Sequence, residues 1–285
     1  MNTRTAVGLA VLLLAGAGGA DAWFSRSAAP PPDPEPAAEP IVEQADPTLP
    51  VPPVPPRIAE GEEYETCLAM LPADPAGATS YAESWLKRGG GEGATHCLAQ
   101  SRVALGDAAA GADMLQTLAS ASHATPLARA ATYGQAEQAY QEAGDLNAAL
   151  GAATLALSLS PDDVDLLVDR AVVGGGLGHW QDCVDDLTHA LDLDVRRGDA
   201  FVLRGSAWRH LGQLELAQDD IDRALLLDGD DPDALLERGI LRQRNGVVAG
   251  ARADWRKVVT LSPDSFTADL AKQYLALLDA GPERK

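Results

Sequence analysis

The sequence predicts an all-α protein, a solenoid of antiparallel helix hairpins stacked side by side, and three observations predict it. The first is a period. "RGSAWRHLGQLELAQDD", from Arg204 to Asp220, has counterparts in "RAVVGGGLGHWQDCVDD" (170–186) and "RGILRQRNGVVAGARAD" (238–254), offset by the same thirty-four positions either way, the mark of a stacked repeat. The second is composition: only 5% of the 285 residues are aromatic, while alanine, leucine and glycine abound, which favours closely packed helices over sheet. The third is spacing, since Leu214, Ala217, Ile221 and Ala224 recur at steps of three, four and three and line one face of a helix.

The first 22 residues read as an export signal. Arg4 supplies the positive start, "AVGLAVLLLAGAGGA" (6–20) the apolar stretch, and Ala20-Asp21-Ala22 a small-residue cleavage site. Cleavage there makes the protein periplasmic. The alternative is an inner-membrane anchor left uncut, although the apolar stretch is shorter than the roughly 20 residues that cross a bilayer. Residues 23–57 follow, with twelve prolines between Pro30 and Pro56, a density that removes backbone donors and favours extended conformations. This reads as a disordered, semi-rigid spacer; a docking site for a proline-binding domain is the functional alternative.

Residues 58–129 carry a weaker helical pattern, with helices expected at about 59–71 and 75–88, then "RGGGEG" (88–93) and a helix bearing Ala108, Gly111, Leu115 and Leu118. That face begins four places earlier than the period sets it, an insertion placed at "SHATP" (122–126). Four units then run over 130–163, 164–197, 198–231 and 232–265. Their second helices carry Leu146, Ala149, Ala153 and Ala156; Trp180, Cys183, Leu187 and Ala190; the set already given; and Val248, Ala251, Trp255 and Val258. Gly144, Gly178, Gly212 and Gly246 sit at the turns, where a left-handed residue ends a helix. Ala149, Cys183, Ala217 and Ala251 are small enough to let the two helices approach. Pro161, Pro232 and Pro263 mark joints between units, with Asp231 an N-cap. Residues 266–280 form one more amphipathic helix, suited to cap the end of a stack.

Charge narrows the partners. Lys and Arg number 22 against 42 Asp and Glu, a formal charge of −20 that repels nucleic acid and anionic membrane surfaces. Protein or peptide partners remain, a membrane contact arising only if the N-terminal segment stays uncut.

The pattern resembles the tetratricopeptide repeat family, well over 130–280 and loosely over 59–129. The family's small places are met by Gly205, Gly239, Ala149, Ala217, Ala251, Ala156, Ala190 and Ala224, its large ones by Tyr133, Tyr140, Phe201, Trp208 and Trp255, and its closing proline by Pro161 and Pro263. Val195 and Gly229 depart from that proline and Gly174 from a bulky residue, so looser joints are expected there. The resemblance implies a right-handed superhelix whose concave wall, built from first helices, holds a partner peptide. It implies no activity and no cofactor. On that geometry the wall falls at Val168, Val172, Val202, Ser206, Arg209, His210, Leu236, Ile240, Gln243 and Arg244, an apolar strip with Arg209 and Arg244 placed to meet a carboxylate. The competing reading of the strip is packing between neighbouring first helices.

Other residues bear on chemistry. Arg170, Arg204 and Arg238 each precede an aspartate by sixteen places, Asp186, Asp220 and Asp254, and a structural ion pair inside each hairpin is expected. Cys67 and Cys97 fall on neighbouring first helices and are either a disulfide or two buried thiols, with Cys183 a small core residue. His96 beside Cys97 is too thin a pattern for a metal. "GGGLG" (174–178) lacks the context of a phosphate loop and is either a frayed turn or a notch in the inner wall beside Tyr140 and Trp208. No nucleophile has a base beside it. The reading is therefore a non-enzymatic interaction scaffold of the bacterial cell envelope, without cofactor, metal or small-molecule substrate. A periplasmic assembly factor or chaperone for envelope proteins is the alternative, and a thiol-redox enzyme through Cys67 and Cys97 a third.

Overall fold

The computed structural model describes residues 56–280; the expected signal, the spacer up to residue 55 and the last five residues lie outside that range. Among the described residues the elements are thirteen helices and no strand. They form hairpins: α1 (Glu62–Met70) with α2 (Pro75–Lys87), α3 (Gly91–Ala104) with α4 (Ala108–Ala121), and α5 (Pro126–Glu142) with α6 (Leu146–Leu159). The series continues with α7 (Val164–Leu177) and α8 (Trp180–Leu193), α9 (Gly198–His210) and α10 (Leu214–Leu227), and α11 (Pro232–Arg244) and α12 (Val248–Leu261), closed by α13 (Phe266–Ala280). The result is an all-α solenoid. None of these helices is long and apolar enough to cross a membrane.

The turns inside the hairpins follow from glycine. Gly144, Gly178, Gly212 and Gly246 have φ of 78°, 79°, 79° and 77°, and the amide after each bonds back to the helix, as Gln213 N–H does to the Trp208 carbonyl at 2.9 Å. That bond recovers a carbonyl the helix end would otherwise leave unpaired. At the joints, Asp163 accepts from the amides of Asp165 and Leu166, and Asp231 from those of Asp233 and Ala234, with Pro232 opening the helix.

Two sequence expectations are revised here. The four extra residues before α5 do not lengthen the joint: α4 ends at Ala121 and α5 starts at Pro126, a gap equal to that between α6 and α7. Thr125 caps Ala128 N–H and Pro126 starts the helix, so the insertion becomes one added turn, making α5 17 residues against 13 in α9. A helix turn holds about 3.6 residues, so four extra places return the chain to nearly the same face. The joints without proline are not loose either. Asp194 accepts from Arg196 N–H at 3.0 Å and Asp228 from Asp230 N–H at 2.9 Å, side-chain turns that fix the corner.

Packing is continuous along the stack, because each helix buries a face against the helices before and after it. Within hairpins, bulk on one helix is matched by its absence on the other. Trp255 is fully buried against Gly239 and Ile221 against Gly205, where an added Cβ would lie 2.2 Å from Trp255 Nε1 or 3.0 Å from Ile221 Cδ1. Each large aliphatic so buried stabilises by about 1.5–3 kcal/mol. Successive first helices also touch, α5 with α7, α7 with α9, α9 with α11, and α11 with α13, while no pair of second helices among the described residues is in comparable contact. First helices therefore form the inner wall.

Candidate functional site

The expected ion pairs close three successive hairpins. Arg170 Nε and Nη2 donate to Asp186 at 2.7 and 2.5 Å, Arg204 to Asp220 at 2.8 and 2.8 Å, and Arg238 to Asp254 at 3.1 and 2.7 Å. Asp220 and Asp254 are each only 4% exposed, so an unpaired carboxylate there is costly and the planar guanidinium fork answers both oxygens at once. Arg204 Nη1 also donates to Thr188, and Arg242 adds a second guanidinium on Asp254 at 2.7 Å. These are fold elements, not a ligand site.

On the inner wall the apolar strip is mostly consumed by packing. Val168, Val202, Leu236 and Ile240 are each 7% exposed, because their places face the neighbouring first helix; for these four the competing reading, core packing, holds. Arg209 is not free to meet an incoming carboxylate. Its Nε and Nη2 donate to Glu237 at 2.7 and 3.0 Å, and the Ser206 hydroxyl donates to the same carboxylate at 3.0 Å. His210 stacks on Trp180 with ring centroids 3.9 Å apart and planes 4° from parallel. Its pKa lies below the ordinary histidine value through burial first, then the charges of Arg209 and Arg244, against the pull of Glu237. What remains accessible is Val172, His210, Arg244 and the half-buried Gln243, and Arg244 makes no ion pair among the described residues.

Residues the sequence reading passed over shape the other end of the wall. Between α5 and α7 lies a hollow of about 230 Å³ lined by Leu127, Gln135, Gln138, Asp165, Leu166 and Asp169, with Pro56 at its edge. Burial and the neighbouring Asp165 raise the Asp169 pKa, while Arg197 lowers it. Arg197 itself is held by Asp165 at 2.6 Å and by Asp199 at 2.7 Å. Behind the hollow, Glu137 is fully buried; one oxygen accepts from Gln141 and the other has no partner. Burial, then the charge of Asp169, pushes its carboxyl up to about 7, against the Gln141 bond. Its signal was an acid at the place where the next units carry Ala171 and Gly205.

The remaining candidates are structural. Cys67 on α1 and Cys97 on α3 form a disulfide with Cα atoms 6.2 Å apart, and both are fully buried, unlike a thiol that must attack a substrate. His96 is satisfied by Tyr64 Oη at 3.0 Å and Gln135 Oε1 at 2.6 Å. Cys183 is a core thiol, its Sγ 3.1 Å from the Ala171 carbonyl and its pKa pushed up to about 11 by burial, then by Asp186 and Asp182. The glycine run is neither frayed nor an inner notch beside Tyr140 and Trp208. It is helical to Leu177, a Cβ on Gly176 would meet Leu146 at 2.9 Å, and Gly174 opens toward the second helices.

No family model and no curated protein matches the sequence. Solved structures do. The chain is similar to MamA at 14% identity and a TM-score of 0.51, over 58% of this chain and 95% of that one. YrrB, described as a TPR protein with an unusual peptide-binding site, gives 16% and 0.51 over 68% and 97%. A chain of the APC/C hetero-tetramer Cut9–Hcn1 gives 20% and 0.55 over 75% and 42%. With the hairpins, turn glycines and repeat period already described, these likenesses establish the fold: the described residues form a solenoid of the tetratricopeptide-repeat type.

Proposed function

We propose that this chain is a non-enzymatic scaffold, exported to the bacterial cell envelope, that holds a partner polypeptide along its inner wall. The observation that carries the reading is the hollow between α5 and α7; further along the first helices Val172, His210 and Arg244 are exposed. Gln138 supplies a donor and an acceptor for an extended backbone, Leu127 and Leu166 supply apolar surface, and Asp165 and Asp169 suit a basic side chain. Arg244, at the other end, suits an acidic one. YrrB, of the same fold, is described as having a peptide-binding site, which supports the reading. Export rests on the N-terminal segment and is consistent with the disulfide.

The test is affinity capture from the native envelope with the full-length chain, followed by Val172→Arg and Arg244→Glu. One partner, its capture reduced about tenfold or more by either change with melting unaltered, is the expected result. Undiminished capture moves the contact elsewhere, and weak capture of many unfolded clients favours an assembly factor. Protein from the envelope should begin at Trp23; a retained signal would make it an anchored protein.

A further inference from the structure

The repeat places one site three times in the stack, and of the two copies that keep a hollow only one carries unbalanced negative charge. In each, the hairpin arginine and aspartate meet beside the residue four places after that arginine: Gly174, Trp208 or Arg242. The third copy is filled by Arg242, whose Nη1 donates to Asp254 at 2.7 Å beside Arg238. The second, beside Trp208, keeps a hollow of about 220 Å³ in which Asp219 and Asp220 are balanced by Arg204 and Arg223. At the first, Gly174 leaves a hollow of about 300 Å³ lined by Arg170, Asp182, Asp185 and Asp186. Three carboxylates face one guanidinium there, an excess of two negative charges that neither other copy carries. Asp182 and Asp185 are exposed, and neither forms an ion pair among the described residues.

We propose that this hollow, between α6, α7 and α8, is a socket for an arginine side chain of another polypeptide. The guanidinium takes the seat that Arg242 occupies in the third copy, against Asp186 and under Asp182 and Asp185. A planar fork suits carboxylates at several angles better than an ammonium does, and the −20 charge of the chain draws a basic segment toward it. Gly174 is small for a local reason as well: a Cβ there would stand 3.1 Å from Cys183 Sγ, whereas the other two copies carry alanine, Ala217 and Ala251, in the place of that cysteine. The socket is built with second-helix side chains and stands apart from the inner-wall reading, so Val172→Arg and Arg244→Glu should leave it unchanged.

The test uses the full-length chain titrated with hexa-arginine, hexa-lysine and hexa-citrulline peptides, read by calorimetry and by amide NMR shifts at Gly174, Gly175 and His179. Hexa-arginine should bind and move those amides, hexa-lysine should bind several-fold more weakly, and hexa-citrulline should not bind. Gly174→Arg with Cys183→Ala copies the third unit and should weaken hexa-arginine about tenfold or more, while Cys183→Ala alone does not. Asp182→Asn with Asp185→Asn alters only exposed groups and should weaken it at least several-fold, deciding the matter should the filled variant fold poorly. No hexa-arginine binding to the unaltered chain, equal binding of hexa-lysine, shifts confined to other regions, or affinity unchanged by the exposed pair of substitutions would overturn the proposal.

Discussion

Glu137 makes the stability of α5 depend on pH with a sign opposite to that of an ordinary ion-paired carboxylate. Its carboxyl is fully buried with one oxygen unpaired, and it holds its proton up to about pH 7 against an ordinary value of 4.5. The folded form therefore binds the proton more tightly than the unfolded form. The stability this lends is fully present below about 4.5 and is lost as pH rises through about 7. At about 1.4 kcal/mol per unit, the rise from 4.5 to about 7 amounts to roughly 3–4 kcal/mol by pH 8. Glu137→Gln keeps the shape and the acceptor for Gln141 but cannot ionise. Urea unfolding followed by circular dichroism should show the variant about 3–4 kcal/mol more stable than the parent at pH 8 and nearly equal at pH 4.5. The comparison must be between proteins, not between pH values alone. Asp169, whose pKa is also raised, slopes the same way, whereas His96 and His210, whose pKa values are lowered, lose stability as pH falls below the ordinary histidine range. A variant no more stable than the parent at pH 8, or equally shifted at both pH values, would refute the buried-acid argument.

Three further outcomes follow from the packing. Gly239→Ala should destabilise by about 1–3 kcal/mol in urea unfolding despite its better helix propensity, because the new Cβ stands 2.2 Å from Trp255 Nε1; stabilisation would show that the indole can move aside. Asp220→Ala should cost about 3–5 kcal/mol by leaving Arg204 half-buried and unpaired, and more than Asp186→Ala, whose arginine side chain is 28% rather than 15% exposed. Replacing Cys67 and Cys97 with serine should cost about 3–4 kcal/mol for a crosslink spanning 30 residues, measured as the loss of unfolding midpoint under non-reducing conditions.

The hairpins were legible because the repeat period, the turn glycines and the small residues opposite large ones all act within one unit, where sequence distance is short. Arg170 with Asp186 and its two counterparts were legible for the same reason: the chain between them runs up one helix and down the next. What lay between units was not. Val168, Val202, Leu236 and Ile240 look outward in one hairpin and are covered only by the next. Arg209 looked free because its partner, Glu237, lies in another first helix, one whole unit further along the chain. The extra turn of α5 had a signal, Thr125-Pro126 as cap and opening residue, that argued for a longer helix instead of a longer loop. The hollow at Gly174 has no signal within its own unit; its charge excess is a difference among three copies of one hairpin.

The central claim is that a partner polypeptide lies on the wall formed by first helices. Site-specific photocrosslinking in the envelope tests it most directly, with the reactive side chain placed at Gln138 or Val172 on that wall and, as the contrast, at Leu226 on a second helix, which is 86% exposed. The account predicts one crosslinked partner shared by Gln138 and Val172 and none at Leu226. The same partner at Leu226 with neither inner position reacting would contradict it.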